Sequence, residues 1–370
     1  MINKEYFKAL TGYRAIAAFM IFSLHNKQLI FSRDSFGFSF LSGFGIGVPL
    51  FFALSGFLIY TRYNTAEISA GFYKKYMVNR IARIYPVYFL LTTVTLLFNY
   101  KAAALSAEYL KLYFLNISFL RGYFEKYCFS LVATGWSLTV EETFYVIAPL
   151  IFALALTSIR KYILIFSAIF AFGWLMSFIS VDLLNGFFWT DHKFMVLNTF
   201  FGSAMSFVVG IIVGVLNNRV AESKFKYFTI AGVAGLIVSL VFMALLPNKT
   251  GEDGGHSWPW IIINNFVAIP FVGALIWGLL REKTLFARLL STETFQVLGK
   301  SSYTFYLVHY GILLGITNKF LGENVITHFV VFNIVSIVIW RLFEEPTNEW
   351  IRKKYSQLTS GSRPSPASVN

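Results

Sequence analysis

The sequence predicts an all-α protein, a polytopic transmembrane helix bundle with about ten membrane-spanning helices. Three observations predict it. Hydrophobic residues make up 56% of the 370 and charged residues only 13%, whereas a water-facing surface of this size needs roughly 25% charged residues. Mean hydropathy is +0.63, and apolar runs of the length needed to cross hydrocarbon, roughly 18–20 residues, recur along the chain. The formal net charge is +13, and the lysines and arginines that produce it are spread unevenly between the connections. Soluble globular, disordered and coiled-coil classes are excluded. A single cysteine, Cys128, excludes an intrachain disulfide framework and a Cys-rich metal site. In so apolar a chain the positive excess marks cytoplasmic loops rather than a nucleic-acid surface.

In order, the runs lie near 9–25, 43–61, 84–100, 136–157, 162–181, 194–216, 227–246, 259–280, 298–317 and 325–343. The first lacks the small-residue cleavage pattern of a signal peptide and holds Arg14 and His25, so it is read as retained. With the amino terminus in the cytoplasm, 22 of the 31 lysines and arginines fall inside and 9 outside, the bias expected of inside loops. Ten spans then place both termini in the cytoplasm. The longest outside connection, 101–135, mixes Tyr, Phe and Lys like an interfacial hairpin, lying at the headgroups or dipping back into the membrane. Residues 1–354 form one transmembrane domain. The Ser/Pro-rich segment 355–370 is expected to be a disordered cytoplasmic tail. No internal repeat is evident.

Ionisable side chains at membrane depth cost at least about 2.5–3.5 kcal/mol each, so each needs a partner or a function. Arg14 and His25 are eleven residues apart on the first run. Eleven helical steps are three turns plus about 20°, which puts both on one face, about 16 Å apart along the axis. One could hold a phosphate while the other handles a proton, or Arg14 is a snorkelling anchor and His25 a satisfied core residue. On the fourth run, Ser137, Glu141 and Tyr145 form one polar stripe at i, i+4, i+8 spacing, and Glu142 points about 100° away. Counted from Trp136, the glutamates lie about 8–9 Å deep, a depth at which a carboxylate could orient His25 as a general base or tie helices together. Arg80 and Arg83, three apart beside the third run, can share a face and grip a phosphate or act as ordinary stop-transfer charge. Small residues Gly43, Gly45, Gly47 and Gly56 on the second run permit close helix contact or ligand approach. His309, in the middle of the ninth run, is a second pore-lining residue or a core histidine. No two histidines are three or four residues apart, so no metal is expected.

Together these residues resemble the integral-membrane acyltransferase family 3, through the stretch from Tyr13 to about Arg352. The resemblance rests on Arg14-x10-His25, on Gly47-Val48-Pro49-Leu50-Phe51-Phe52-Ala53-Leu54-Ser55-Gly56-Phe57-Leu58-Ile59, and on Arg80-x-x-Arg83-Ile84-Tyr85-Pro86. It continues in Trp136-Ser137-Leu138-x-Val140-Glu141-Glu142-x-Phe144-Tyr145, Ser302-Tyr303-x-x-Tyr306-Leu307-x-His309 and Glu345-Pro346. Six motifs in the same order are specific. Pro49 departs from the acidic or polar residue of many members, and a membrane domain without a fused hydrolase-like domain is expected.

The resemblance implies transfer of an acyl group, usually acetyl from acetyl-CoA, to a carbohydrate or lipid-linked glycan outside the cytoplasm. His25 would be catalytic, oriented by Glu141 or Glu142, with Arg14, Arg80 and Arg83 holding the coenzyme. Trp136, Ser137, Tyr145 and His309 are the candidate substrate-binding residues. The expected partners are acyl-CoA as donor substrate, the glycan acceptor and membrane lipids, with no nucleic acid and no permanently bound cofactor. The place is the bacterial cytoplasmic membrane, multi-pass. A secondary transporter or flippase for a lipid-linked glycan would also line a central path with polar residues.

Overall fold

In hydrocarbon every backbone N–H and C=O must be paired within the protein, which leaves the helix as the economical form for a long apolar run. The computed structural model describes residues 7–65, 67–100, 106–220, 226–246 and 256–360, and among these residues there is no strand. Among the described residues, eight helical stretches are long and apolar enough to cross a membrane: Phe36–Tyr63, Ala70–Asn99, Ala133–Ala155, Ile159–Leu183, His192–Arg219, Phe228–Leu245, Trp258–Arg281 and Val325–Thr359. Outward-facing Leu164, Phe172 and Ile334 leave an apolar perimeter.

The two other runs take different forms. The first is an 18-residue helix, Lys8–His25, inside the bundle, where only Lys8 of its residues is exposed. It packs on Gly47–Tyr63, Leu285–Leu290, Glu293–Lys300 and Ser302–Val308. Its central position lets it carry Arg14 and His25 without showing either to lipid. The ninth run is broken. Helix Ser302–Val308 stops, Gly311 takes φ +100°, and a separate helix Ile312–Leu321 begins. A broken helix at membrane depth is tolerated where its ends are buried in protein. Ser302 to His309 is buried throughout, so His309 is presented at the break in the protein interior.

Helices approach closely where glycine permits. A Cβ on Gly210 would lie 1.8 Å from the Ala53 carbonyl oxygen, and one on Gly56 would lie 2.2 Å from that of Phe207. Helices Gly47–Tyr63 and Phe200–Arg219 therefore touch backbone to backbone. Among the described residues, three helices contain a π-helical turn, at Ile179–Leu183, Ile263–Val267 and Trp340–Glu344.

The described part of 101–135 is a helix, Ala107–Ile117, followed by 3-10 turns at Leu120–Tyr123, Glu125–Tyr127 and Ala133–Gly135. It is pinned by Arg121, which is fully buried. The Arg121 guanidinium donates to Asn116 Oδ1 and the Val132 carbonyl at 2.7 Å each, and to the Ser130 carbonyl. Tyr88 donates to the Asn116 carbonyl at 3.2 Å and so ties the hairpin to helix Ala70–Tyr100. At the carboxyl end, helix Glu345–Ser360 continues six residues into the segment expected to be a tail, and 361–370 lie outside the described residues.

Candidate active site

Two cavities approach each other inside the bundle. The first, about 310 Å³, lies at the end where helix Lys8–His25 starts and is lined by Leu10, Arg14, Ser55, Arg62, Arg80, Arg83, Ser137, Glu141, Tyr145, Lys300 and Glu344. The second, about 610 Å³, lies where that helix ends and is lined by His25, Trp136, Asp191, Lys193, His256, Trp260, Asn264, Asn265 and Tyr310. Val48, Phe52 and Tyr306 line both. The Tyr306 hydroxyl lies 2.9 Å from both Ser137 Oγ and the Thr134 carbonyl, so this shared ring is held at its tip.

The basic cavity gathers most of the charged residues singled out from sequence. Arg80 is buried, with its guanidinium 5.5 Å from the Tyr63 ring centre and 5.6 Å from that of Tyr145. Cations over aromatic faces gain about 0.5–2 kcal/mol, and here two rings flank the group. Arg83 and Arg14 line the same space. The stripe Ser137, Glu141, Tyr145 faces it on one side, as four-residue spacing on a helix requires. Ser55 and Tyr145 both donate their hydroxyls to Glu141 Oε1. Glu142 lines neither cavity.

This arrangement differs from the expected pairing of a glutamate with His25. Glu141 lines the arginine-bearing cavity and His25 the other, while Glu142 lines neither. Instead, His25 Nδ1 lies 2.7 Å from His309 Nε2. The two rings are inclined by 19° with centres 5.0 Å apart, as an edge-to-edge N–H···N bond requires, since face stacking would overlap the rings. His309 is fully buried and lines neither cavity, so it is not placed to touch substrate as the sequence suggested. Its partnership with His25 spans 284 positions, beyond any spacing argument. Trp136 does line the His25 cavity.

Several lining residues had no role in the sequence reading. Glu344 is buried in the π-helical turn Trp340–Glu344 and accepts the Thr304 hydroxyl at 2.7 Å. Asn264 and Asn265 sit in the turn Ile263–Val267, where Asn264 donates to Asn265 and Asn265 donates to the Val196 carbonyl at 2.8 Å. Adjacent amides in an apolar run were the available signal. π-helical turns recur at functional sites because the extra residue redirects side chains, and two of the three here open onto a cavity. His256 stacks on Trp260 with ring centres 3.7 Å apart. Burial above all, with Lys27 and Lys193 nearby, pushes His256 down to about 4, so its imidazole is neutral at pH 7.

An arginine-lined space and a histidine-lined space set end to end in a bundle of membrane-crossing helices define a class of integral-membrane protein. The chain belongs to the acyltransferase domain family, integral-membrane acyltransferase family 3, whose profile matches residues 7–344. It is a multi-pass membrane protein. It is similar to the O-acetyltransferase OatA of Staphylococcus aureus strain NCTC 8325 / PS 47, at 24% identity over 383 residues covering 96% of this chain and 58% of that protein. The OatA of strain MRSA252 is related to it by the same 24% identity and the same coverage. The chain thus spans 58% of the length of these relatives. No solved structure matches it.

Proposed function

We propose that the protein moves an acyl group, acetyl by the names of its relatives, from cytoplasmic acyl-CoA to a hydroxyl of a carbohydrate or lipid-linked glycan on the far side of the membrane. The observation that supports this most is the pair of cavities meeting at Tyr306, with cations on one side and His25 on the other. A donor made inside and an acceptor kept outside need such a meeting point. The 22-to-9 distribution of lysines and arginines supports an orientation with the basic cavity on the cytoplasmic side.

In this reading the coenzyme's phosphates meet Arg80, Arg83 and Arg62 at the mouth, guanidinium groups suited to two-pronged phosphate contacts. The pantetheine arm runs past Arg14 toward Tyr306. Arg14 and His25 are about 16 Å apart along their helix, a span of the same order as that arm. Tyr306 leaves Ser137 and Thr134 as the thioester arrives, at about 1 kcal/mol for each hydrogen bond broken. The acceptor hydroxyl enters by the larger cavity. His25 takes its proton, the oxygen bonds to the thioester carbon, and the carbon–sulfur bond breaks. The departing thiolate takes the proton from His25, which returns neutral. Protons and charge balance without a covalent enzyme intermediate.

The test is His25→Ala in membrane-inserted protein, assayed for acyl transfer to cell-surface glycan by mass spectrometry. The expected result is a fall of at least about 100-fold, the scale of general-base catalysis. Full retention of transfer would eliminate the scheme. A transporter of lipid-linked glycan would show no acyl-CoA binding that weakens in Arg80→Ala.

A further inference from the structure

We infer that His309 is a positioning residue that fixes the tautomer of His25, so that the free nitrogen of His25 is the one directed to the acceptor cavity. The inference rests on the reading of His25 as the base. A neutral imidazole carries one N–H, and which nitrogen bears it is set by its partners. His309 Nδ1 lies 3.3 Å from the Phe305 carbonyl oxygen, which can only accept. That contact is attractive only with the His309 proton on Nδ1. Nε2 of His309 is then a bare acceptor, and the 2.7 Å contact is a bond donated by His25 Nδ1. The lone pair of His25 is left on Nε2.

The opposite assignment would aim the Nδ1 lone pair of a fully buried ring at a carbonyl oxygen, and buried unpaired acceptors cost about 1–3 kcal/mol. The His309 ring cannot turn away easily. Phe305 lies parallel to it at 6.0 Å between centres, and Phe22 meets it edge-on at 6.5 Å. Phe305 belongs to the last turn of the short helix Ser302–Val308 and its carbonyl also accepts the His309 backbone N–H at 3.1 Å, so this last turn supplies both the carbonyl and the ring. A carboxylate in the same place would orient His25 equally well but would bury a negative charge at membrane depth. A second imidazole does the task without charge, and once His25 is protonated the same bond helps hold the imidazolium.

The experiment uses the full chain in lipid nanodiscs, with donor and acceptor kinetics measured for the wild type, His25→Ala, His309→Ala and His309→Gln. In Gln the terminal amide oxygen can take the place of Nε2 and accept from His25. The expected result is a fall in kcat of about 100-fold in His309→Ala with donor KM unchanged, and recovery to within about tenfold of wild type in His309→Gln. In ¹⁵N-histidine spectra of the wild type, where the chain has five histidines, the His25 resonance is expected as the Nδ1–H tautomer. An Nε2–H tautomer, a His309→Ala kcat within twofold of wild type, or a His309→Gln as impaired as His309→Ala would overturn the inference. Full activity in His25→Ala would instead strike the base assignment itself. A dead His25→Ala beside an unimpaired His309→Ala strikes only the role of His309.

Discussion

Glu141 and Glu142 are chemically identical neighbours on one helix, and their surroundings separate them. Glu141 accepts two hydroxyls and faces the basic cavity, whereas Glu142 lines neither space. Glu141→Ala removes the shared acceptor of the Ser55 and Tyr145 hydroxyls, leaving them only their mutual 3.4 Å contact at a cost of about 1–3 kcal/mol, and removes a carboxylate that lines the cavity with Arg14. The expected outcome is a lowered thermal midpoint in detergent. Arg80→Ala is expected to weaken acyl-CoA binding by about tenfold to 100-fold, the loss of one charged hydrogen bond of about 1.5–3 kcal/mol, measured by calorimetric titration. Single residues were the most legible scale of the sequence. Eleven positions make three turns, so the shared face of Arg14 and His25 could be read directly, as could the stripe Ser137, Glu141, Tyr145. The partner of His25 could not be read, because a bond across 284 positions leaves no periodic trace.

Helix existence was legible for the same reason that soluble folds were excluded: long apolar runs have one form in lipid. Interruptions within runs were not legible. The π-helical turns and the break at His309 to Gly311 add or remove a fraction of a turn, which hydropathy averages away. Gly311 was visible as a glycine, but its φ of +100° is a tertiary fact. Gly311→Ala is expected to cost about 1–3 kcal/mol of backbone strain, read as a lower thermal midpoint, and to reduce kcat by displacing His309. Close helix contact at the second run was read from its small residues, but the partner helix was not. Gly210→Ala would push a Cβ to 1.8 Å from the Ala53 carbonyl. An overpacked crossing costs about 1–3 kcal/mol, so lower yield of monodisperse protein by size-exclusion chromatography is the expected outcome.

At the scale of the molecule, sidedness can be tested on the native background. Cys128 is buried and burial pushes its thiol up to about 12, so it stays a thiol and reacts little with maleimides. Added cysteines can then be read alone. In intact cells, Asp34→Cys is expected to react with a membrane-impermeant maleimide and Lys283→Cys only after permeabilisation, both residues being exposed in loops at opposite ends of the bundle. The reverse pattern would invert the orientation that the charge distribution supports. The lining that the two cavities share at Val48, Phe52 and Tyr306 has a further consequence. Each elementary charge crossing a polarised bilayer dissipates about 2.3 kcal/mol per 100 mV, so two wet vestibules back to back would short-circuit the cell if they ever joined. Under the proposed transfer, Tyr306 at rest and the donor's own arm in transit would keep the passage filled, and a cell could carry many copies without draining its electrochemical gradient.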